Sequence, residues 1–246
     1  MSVTEFKIES IPSTLGNFQD REIDILTDYI ELVRKHADTP EILLYNFARA
    51  TRTQDITKFL VYHEVFKEIL NVPGSIVEVG VLEGNTIFSF AHFSEIYEHR
   101  NYTRQILGFD SVGGYDLPCG QRIEPSTTDL MEEAIALFNR STAFHQFDKI
   151  KYIRGPIAER VKDHFSADGG LACALLVLRV GLYDVEKSVL ETVWPRMPKG
   201  AVVLLGSFGY EGTPQCTQVA EDVLGIGNCE FHRFPFATKY CYIKKI

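Results

Sequence analysis

From Gly74 onward, short apolar runs alternate with stretches of helical period, and this alternation restricts the chain more than any other feature. A strand buried on both faces reads as an unbroken apolar run, and a parallel sheet needs a helix between one strand and the next to carry the chain back. The runs Ser75 to Val79, Gln105 to Phe109, Ile150 to Arg154, Ala174 to Leu178 and Ala201 to Leu205 are the expected strands. The end of the chain differs. Cys229 to Phe236 and Thr238 to Lys244 are β-rich and joined by a turn at Pro235 to Thr238, which predicts an antiparallel hairpin.

Before Gly74 the period is helical throughout. Ile23, Leu26, Ile30 and Val33 recur at three and four residues between Asp20 and Lys35, and further helices are expected from Pro40 to Ala50 and from Asp55 to Leu70, where Asn71-Val-Pro-Gly stops the last one. The expected division is a helical arm over residues 1–70 and a core over 71–246. The fold class is α/β: a Rossmann-like, doubly wound, mostly parallel seven-stranded sheet with a C-terminal antiparallel hairpin and an N-terminal helical arm.

With 246 residues and a net charge of -8, the chain is long enough for one sizeable core, and its acidic balance argues against a nucleic-acid or anionic-membrane surface. The longest apolar runs fall far short of the roughly 20 residues that a membrane span needs. Residues Met1 to Ser13 lack the apolar segment of a secretory leader. The five cysteines are odd in number, scattered and without a C-x-x-C pair, which suits free thiols in a reducing compartment. A cytoplasmic location is the expectation.

The most informative stretch is Ile76-Val-Glu-Val-Gly-Val-Leu-Glu-Gly-Asn-Thr86. A strand carries Glu78 near its end, Gly80 follows, Gly84 closes the loop, and a helix opens near Thr86. Glycines let the backbone approach a ligand closely, and a helix N-terminus offers free N–H donors to an anion. The stretch is neither a G-x-G-x-x-G fingerprint nor a P-loop. The next strand ends in Leu107-Gly-Phe-Asp110, and an acid at that tip is placed to accept both hydroxyls of a ribose.

Val72-Pro-Gly-Ser-Ile-Val-Glu-Val-Gly-Val-Leu-Glu-Gly-Asn-Thr86, Gly108-Phe-Asp-Ser-Val-Gly-Gly-Tyr115, Leu182-Tyr-Asp184 and Trp194-Pro-Arg-Met-Pro-Lys-Gly200 together resemble the macrocin O-methyltransferase family, from about Thr53 to the end. The resemblance implies a class I methyltransferase core and S-adenosylmethionine as methyl donor. The implied acceptor is a sugar hydroxyl on a nucleotide-linked deoxysugar or a glycosylated natural product. It places Glu78, Gly80, Val81, Gly84, Asn85, Thr86, Asp110 and Ser111 around the cofactor.

The acceptor side departs from that family. Its members usually carry aspartates at the ends of the fourth and fifth strands that hold a divalent cation; this chain has Arg179 and Gly181 at the first place and Gly206-Ser207 at the second. Magnesium demands oxygen ligands, and a guanidinium repels a cation. No metal is expected. Gly113 and Thr213-Pro-Gln-Cys216 depart on the same side.

The candidate catalytic residues are Arg179, as the cation that orients the acceptor in place of the metal, with Asp184 and His145 as bases. Glu186 and Glu211 are lesser candidates. Asp184 equally suits a helix cap, Glu186 the helix dipole, and His145 simple packing. The segment Asp116 to Asp129 is expected to be a lid over the site. The apolar run Ile42 to Phe47 is expected to pack on a second copy, as a homo-oligomer.

Two alternatives stand beside this reading. One is a protein of the same fold that binds S-adenosylmethionine with lost or altered catalysis. The other is a nicotinamide-linked oxidoreductase, which the missing third glycine disfavours.

Overall fold

The computed structural model describes residues 20–125, 128–142, 146–209 and 214–246. The chain divides into two compact units between Lys58 and Phe59. The boundary falls inside a helix, α3 (Thr53–Glu68), and not after Leu70, because the second half of that helix buries Val61, Tyr62, Val65 and Phe66 in the core of the larger unit.

In the smaller unit, α1 (Asp20–Arg34) is followed by α2 (Pro40–Tyr45) and a short 3₁₀ turn (Phe47–Ala50). Pro40 opens α2, where its missing N–H costs nothing. Asp55 near the start of α3 accepts from Arg52 Nε at 2.8 Å and from Lys58 Nζ at 3.0 Å. No residue of α2 is buried, and Leu44 and Tyr45 face solvent.

The larger unit is built on a seven-stranded sheet of order β5-β2-β1-β6-β7-β9-β8. Its parallel strands are β1 (Ser75–Val79), β2 (Ile106–Asp110), β5 (Ile150–Arg154), β6 (Cys173–Leu178) and β7 (Val202–Leu205). All but the edge strand β5 are buried along their whole length, which accounts for the continuous apolar runs. Between them lie α4 (Asn85–Glu98), α5 (Thr128–Ser141), α6 (Ile157–Ala167) and α7 (Tyr183–Val193), and α8 (Gln215–Leu224) follows β7. The C-terminal pair, β8 (Glu230–Phe234) and β9 (Ala237–Lys244), is antiparallel, and β9 also runs antiparallel to β7. The expected doubly wound sheet with its reversed hairpin is thus the observed one. No helix among the described residues is long and apolar enough to cross a membrane.

A buried arginine fixes the entry to the sheet. Arg104, 3% exposed, donates to the carbonyls of Ile69 (3.1 Å), Val72 (3.0 Å) and Gly74 (2.9 Å) and pairs with Glu98 at 2.8 Å. It thereby satisfies the backbone left open where α3 ends and ties that turn to α4. At Gly74, where φ is +127°, a Cβ would meet the Ala172 carbonyl oxygen at 2.8 Å, so only glycine fits the turn into β1.

The strand order places the site. The chain goes from β1 to β2 on one side and returns to β6 on the other, so the loops leaving β1 and β6 diverge and open a crevice at the carboxyl ends of these strands. Residues 80–86, 111–115, 179–182 and 206–209 all leave the sheet at that edge.

Candidate functional site

The loop after β1 carries the sharpest backbone constraints. Gly80 has φ +80° and its N–H bonds to the Phe109 carbonyl at 2.9 Å, so the chain turns while still tied to β2. Leu82 also takes a left-handed φ of 53°, a conformation that disfavours a branched side chain. Gly84, at φ +78°, is the N-cap of α4, and no side chain caps that helix. Its first N–H groups therefore face the crevice edge available to an anion.

Glu78 sits at the end of β1, fully buried, and neither carboxylate oxygen has a hydrogen-bond partner among the described residues. Burial pushes its carboxyl up to about 8, opposed in part by the nearby Arg179 guanidinium. A buried carboxylate without partners is costly in a folded protein. It is the feature of this site that calls most strongly for a cationic ligand.

Asp110, at the tip of β2, is held for a different task. Its Oδ1 accepts from the Ser111 N–H at 3.0 Å and its Oδ2 from the Tyr152 hydroxyl at 3.0 Å. Burial raises its carboxyl above the usual range, while these two donors, the Leu82 N–H and the nearby Arg154 favour the ionised form. Each oxygen keeps lone pairs beyond those bonds, enough to accept a vicinal diol. At Gly108, in the same strand, a Cβ would meet Val81 Cγ2 at 2.9 Å, so the loop after β1 packs directly on β2.

Arg179, expected from the sequence to orient the acceptor, follows directly on β6. Its Nη1 donates to the Tyr62 hydroxyl oxygen at 3.1 Å and to Thr86 Oγ1 at 2.5 Å, and lies 3.9 Å from Glu78 Oε1. The guanidinium is turned toward the glycine loop and the start of α4. Tyr62 comes from α3, and Tyr240 of β9 packs edge-on against it with ring centroids 6.5 Å apart. Tyr115 belongs to a small ribbon of β3 (Tyr115–Asp116) and β4 (Arg122–Ile123). Its hydroxyl lies 3.5 Å from where a Cβ on Gly80 would be, and burial holds that phenol well above its ordinary value, protonated and able to donate. The segment expected as a lid contains part of a paired ribbon that reaches the loop after β1; residues 126 and 127 lie outside the described residues.

Glu186 is fully buried. Its Oε1 accepts from the Gly181 N–H at 2.8 Å and its Oε2 from the Cys216 thiol at 3.4 Å. It folds back to pin the loop between β6 and α7, where Gly181 takes φ +77°, and burial keeps its carboxyl above the usual range. Asp184 is exposed in the first turn of α7, and that helix has no side-chain cap. His145, Glu211 and Thr213 lie outside the described residues.

Glu78, Gly80, Val81, Gly84, Asn85 and Thr86 share one loop and helix start, and Asp110 and Ser111 sit at the tip of the neighbouring strand. Arg179 joins the first set, and the Asp184 side chain points to no partner in it. Tyr62, Tyr115 and Tyr152 were not singled out from the sequence for these contacts. Tyr62 falls within the helix expected from Asp55 to Leu70, and a hydroxyl at the end of a buried ring leaves no trace in hydropathy. At the places where the resembled family holds its cation stand Arg179, Gly181, Gly206 and Ser207. Among the described residues no group of three or more His, Cys, Asp or Glu side chains is arranged to hold a metal ion.

No family model and no curated protein sequence matches the chain. Solved structures do. The calicheamicin methyltransferase CalS11 aligns with a TM-score of 0.87 at 23% identity, over 93% of this chain and 94% of its own. An apo structure of CalS11, described as a TDP-rhamnose 3'-O-methyltransferase of calicheamicin biosynthesis, aligns with a TM-score of 0.83 at 22% identity, over 93% of this chain and 96% of its own. The O-methyltransferase NovP aligns with a TM-score of 0.60 at 17% identity, over 77% of this chain and 80% of its own. The chain therefore has the class I, Rossmann-like fold of these O-methyltransferases.

Proposed function

We propose that the chain is an S-adenosylmethionine-dependent O-methyltransferase acting on a sugar hydroxyl, without a metal. The observation that carries the cofactor reading is Glu78: fully buried, at the end of β1, with neither oxygen hydrogen-bonded among the described residues. S-adenosylmethionine brings an ammonium that such a carboxylate needs, a ribose diol that suits Asp110, and a carboxylate that suits the uncapped start of α4. Gly80 and Gly84 allow the close backbone approach. The residues fit the group. When bound, it supplies an electrophilic methyl on a sulfonium.

The chain's own residues supply placement. Asp110, with Ser111 and Tyr152 fixing its carboxylate, sets the position of the ribose, and Val81, Asn85 and Thr86 bound the space along the loop. The Tyr115 ribbon excludes water over Gly80 and offers a protonated hydroxyl there. An acceptor hydroxyl has to lie in line with the transferred methyl and lose its proton. Asp184 and His145 are the groups proposed to take that proton, to be separated by Asp184→Asn and His145→Gln at saturating cofactor. Metal independence is supported by the donor set, because Arg179, Gly181 and Gly206 offer no side-chain oxygen to a cation.

The likeness to CalS11 makes TDP-linked deoxysugars the first acceptors to test. The expected result is methyl transfer to one of them, unchanged by EDTA. Cofactor binding with no transfer to any sugar acceptor would leave a binding protein of this fold. A homo-oligomer completes the proposal. It is supported by Leu44, Tyr45 and Phe47 standing exposed in the arm, and light scattering on the purified chain tests it.

A further inference from the structure

Two opposite charges stand beside the glycine loop, and among the described residues neither is hydrogen-bonded to a group of opposite charge. Among the described residues Glu78 has no hydrogen bond on either oxygen. Arg179 stands 3.9 Å away, beyond hydrogen-bond reach, and gives its Nη1 to the uncharged oxygens of Tyr62 and Thr86. Among the described residues its Nε and Nη2 make no hydrogen bond. These two atoms form one edge of the guanidinium, the edge that grips a carboxylate through two parallel bonds. Thr86 lies in the first turn of α4, which no side chain caps, so the same spot carries free backbone donors for an anion. Gly206 leaves the room in which the arginine stem runs, its absent Cβ lying 3.0 Å from Arg179 Cγ.

A carboxylate, an arginine edge and an uncapped helix start, side by side, match a ligand whose ammonium and carboxylate sit on one carbon. We infer that Arg179 is a cofactor-binding residue that holds the carboxylate of the methionyl end of S-adenosylmethionine, while Glu78 takes its ammonium. The inference rests on the cofactor reading proposed above, and it moves Arg179 from the acceptor side of the crevice to the cofactor side. The fixed charge at the end of β6 is then a fourth point of cofactor recognition beside the glycine loop, Glu78 and Asp110. It also leaves the acceptor without a guanidinium to orient it.

The test compares S-adenosylmethionine with its decarboxylated analogue, which keeps the ammonium and the sulfonium, by calorimetric titration of the full chain and of Arg179→Met. Wild type should bind the decarboxylated analogue about 10- to 100-fold more weakly, the worth of a charge-assisted pair of hydrogen bonds. Arg179→Met should reduce that discrimination to about 3-fold or less, with the decarboxylated analogue bound about as well as by wild type. Arg179→Lys, which keeps the charge and loses the fork, should fall between, and it carries the comparison if Arg179→Met does not fold. Unchanged discrimination in a folded Arg179 variant overturns the inference and leaves the cofactor reading standing. Wild type that binds neither ligand overturns the cofactor reading itself.

Discussion

The stem of Arg179 runs across Gly206, so close that a Cβ built on Gly206 would lie 3.0 Å from Arg179 Cγ. Positions 179 and 206 are thereby coupled across the ends of β6 and β7. A side chain at 206 makes the arginine stem give by a few tenths of an ångström, which disturbs its contacts with Tyr62 and Thr86. Gly206→Asp alone should weaken S-adenosylmethionine binding by about 10-fold, the scale of a modest overpacking. Titration of that variant checks it, and wild-type affinity would show that the arginine's placement does not matter to the ligand.

The same coupling bears on metal. Acids introduced together at positions 179, 181, 206 and 207 remove the guanidinium and supply oxygen donors around one point of the crevice. The combined variant should bind magnesium or manganese where wild type does not, measured by calorimetry. Gly181 has φ +77°, so an aspartate there costs about 1 kcal/mol in backbone strain, and the variant should be correspondingly less stable.

The Glu78 carboxyl, pushed up to about 8 by burial, gives two pH effects of defined sign. Its folded value lies above its unfolded one, so the free protein is favoured at low pH, and this contribution is fully present below about 4.5 and lost as pH rises through about 8. Relative to Glu78→Gln, wild type should lose stability across that window in denaturant titrations. Ligand binding runs the other way. An ammonium needs the ionised carboxylate, so affinity for S-adenosylmethionine should rise with pH toward about 8, by up to about tenfold per unit. Binding below that pH should release a proton, seen as a dependence of the measured heat on the buffer. Glu78→Gln should bind weakly at every pH, with no such slope.

Arg104 should behave as a structural bolt. Its guanidinium is buried on three carbonyls and Glu98, so Arg104→Met strips those carbonyls of their charged donor and leaves the Glu98 carboxylate with only the neutral donors of Ser94 and Asn101. The expected loss is about 3–5 kcal/mol of unfolding free energy, read from urea denaturation. Cofactor affinity of the folded fraction should be unchanged, because these contacts lie at the entry to β1, away from its carboxyl end.

The sheet was legible because β1, β2, β6 and β7 are buried along their whole length, and full burial writes itself into the sequence as runs rich in Val, Leu and Ile. The glycine loop was legible for a related reason: Gly80 and Gly84 both take positive φ, so their identity reports backbone shape. The direction of Arg179 was not legible. Its partners Tyr62 and Thr86 lie 117 and 93 residues away in the chain, and no local pattern records which way a long side chain turns at a strand end. Glu186 reads in the sequence as an ordinary first-turn acid; only the fold shows it bent back onto Gly181. The Tyr115 ribbon pairs two residues per strand, too few to produce a period.

Calorimetric titration of the full chain with S-adenosylmethionine in EDTA, repeated on Glu78→Gln, asks most directly whether the unpartnered carboxylate at the end of β1 is a cofactor residue. Saturable binding by wild type, weakened at least about 30-fold in the folded variant, is the expected outcome. Equal binding by the two proteins, or binding of a nicotinamide dinucleotide in its place, would contradict the assignment.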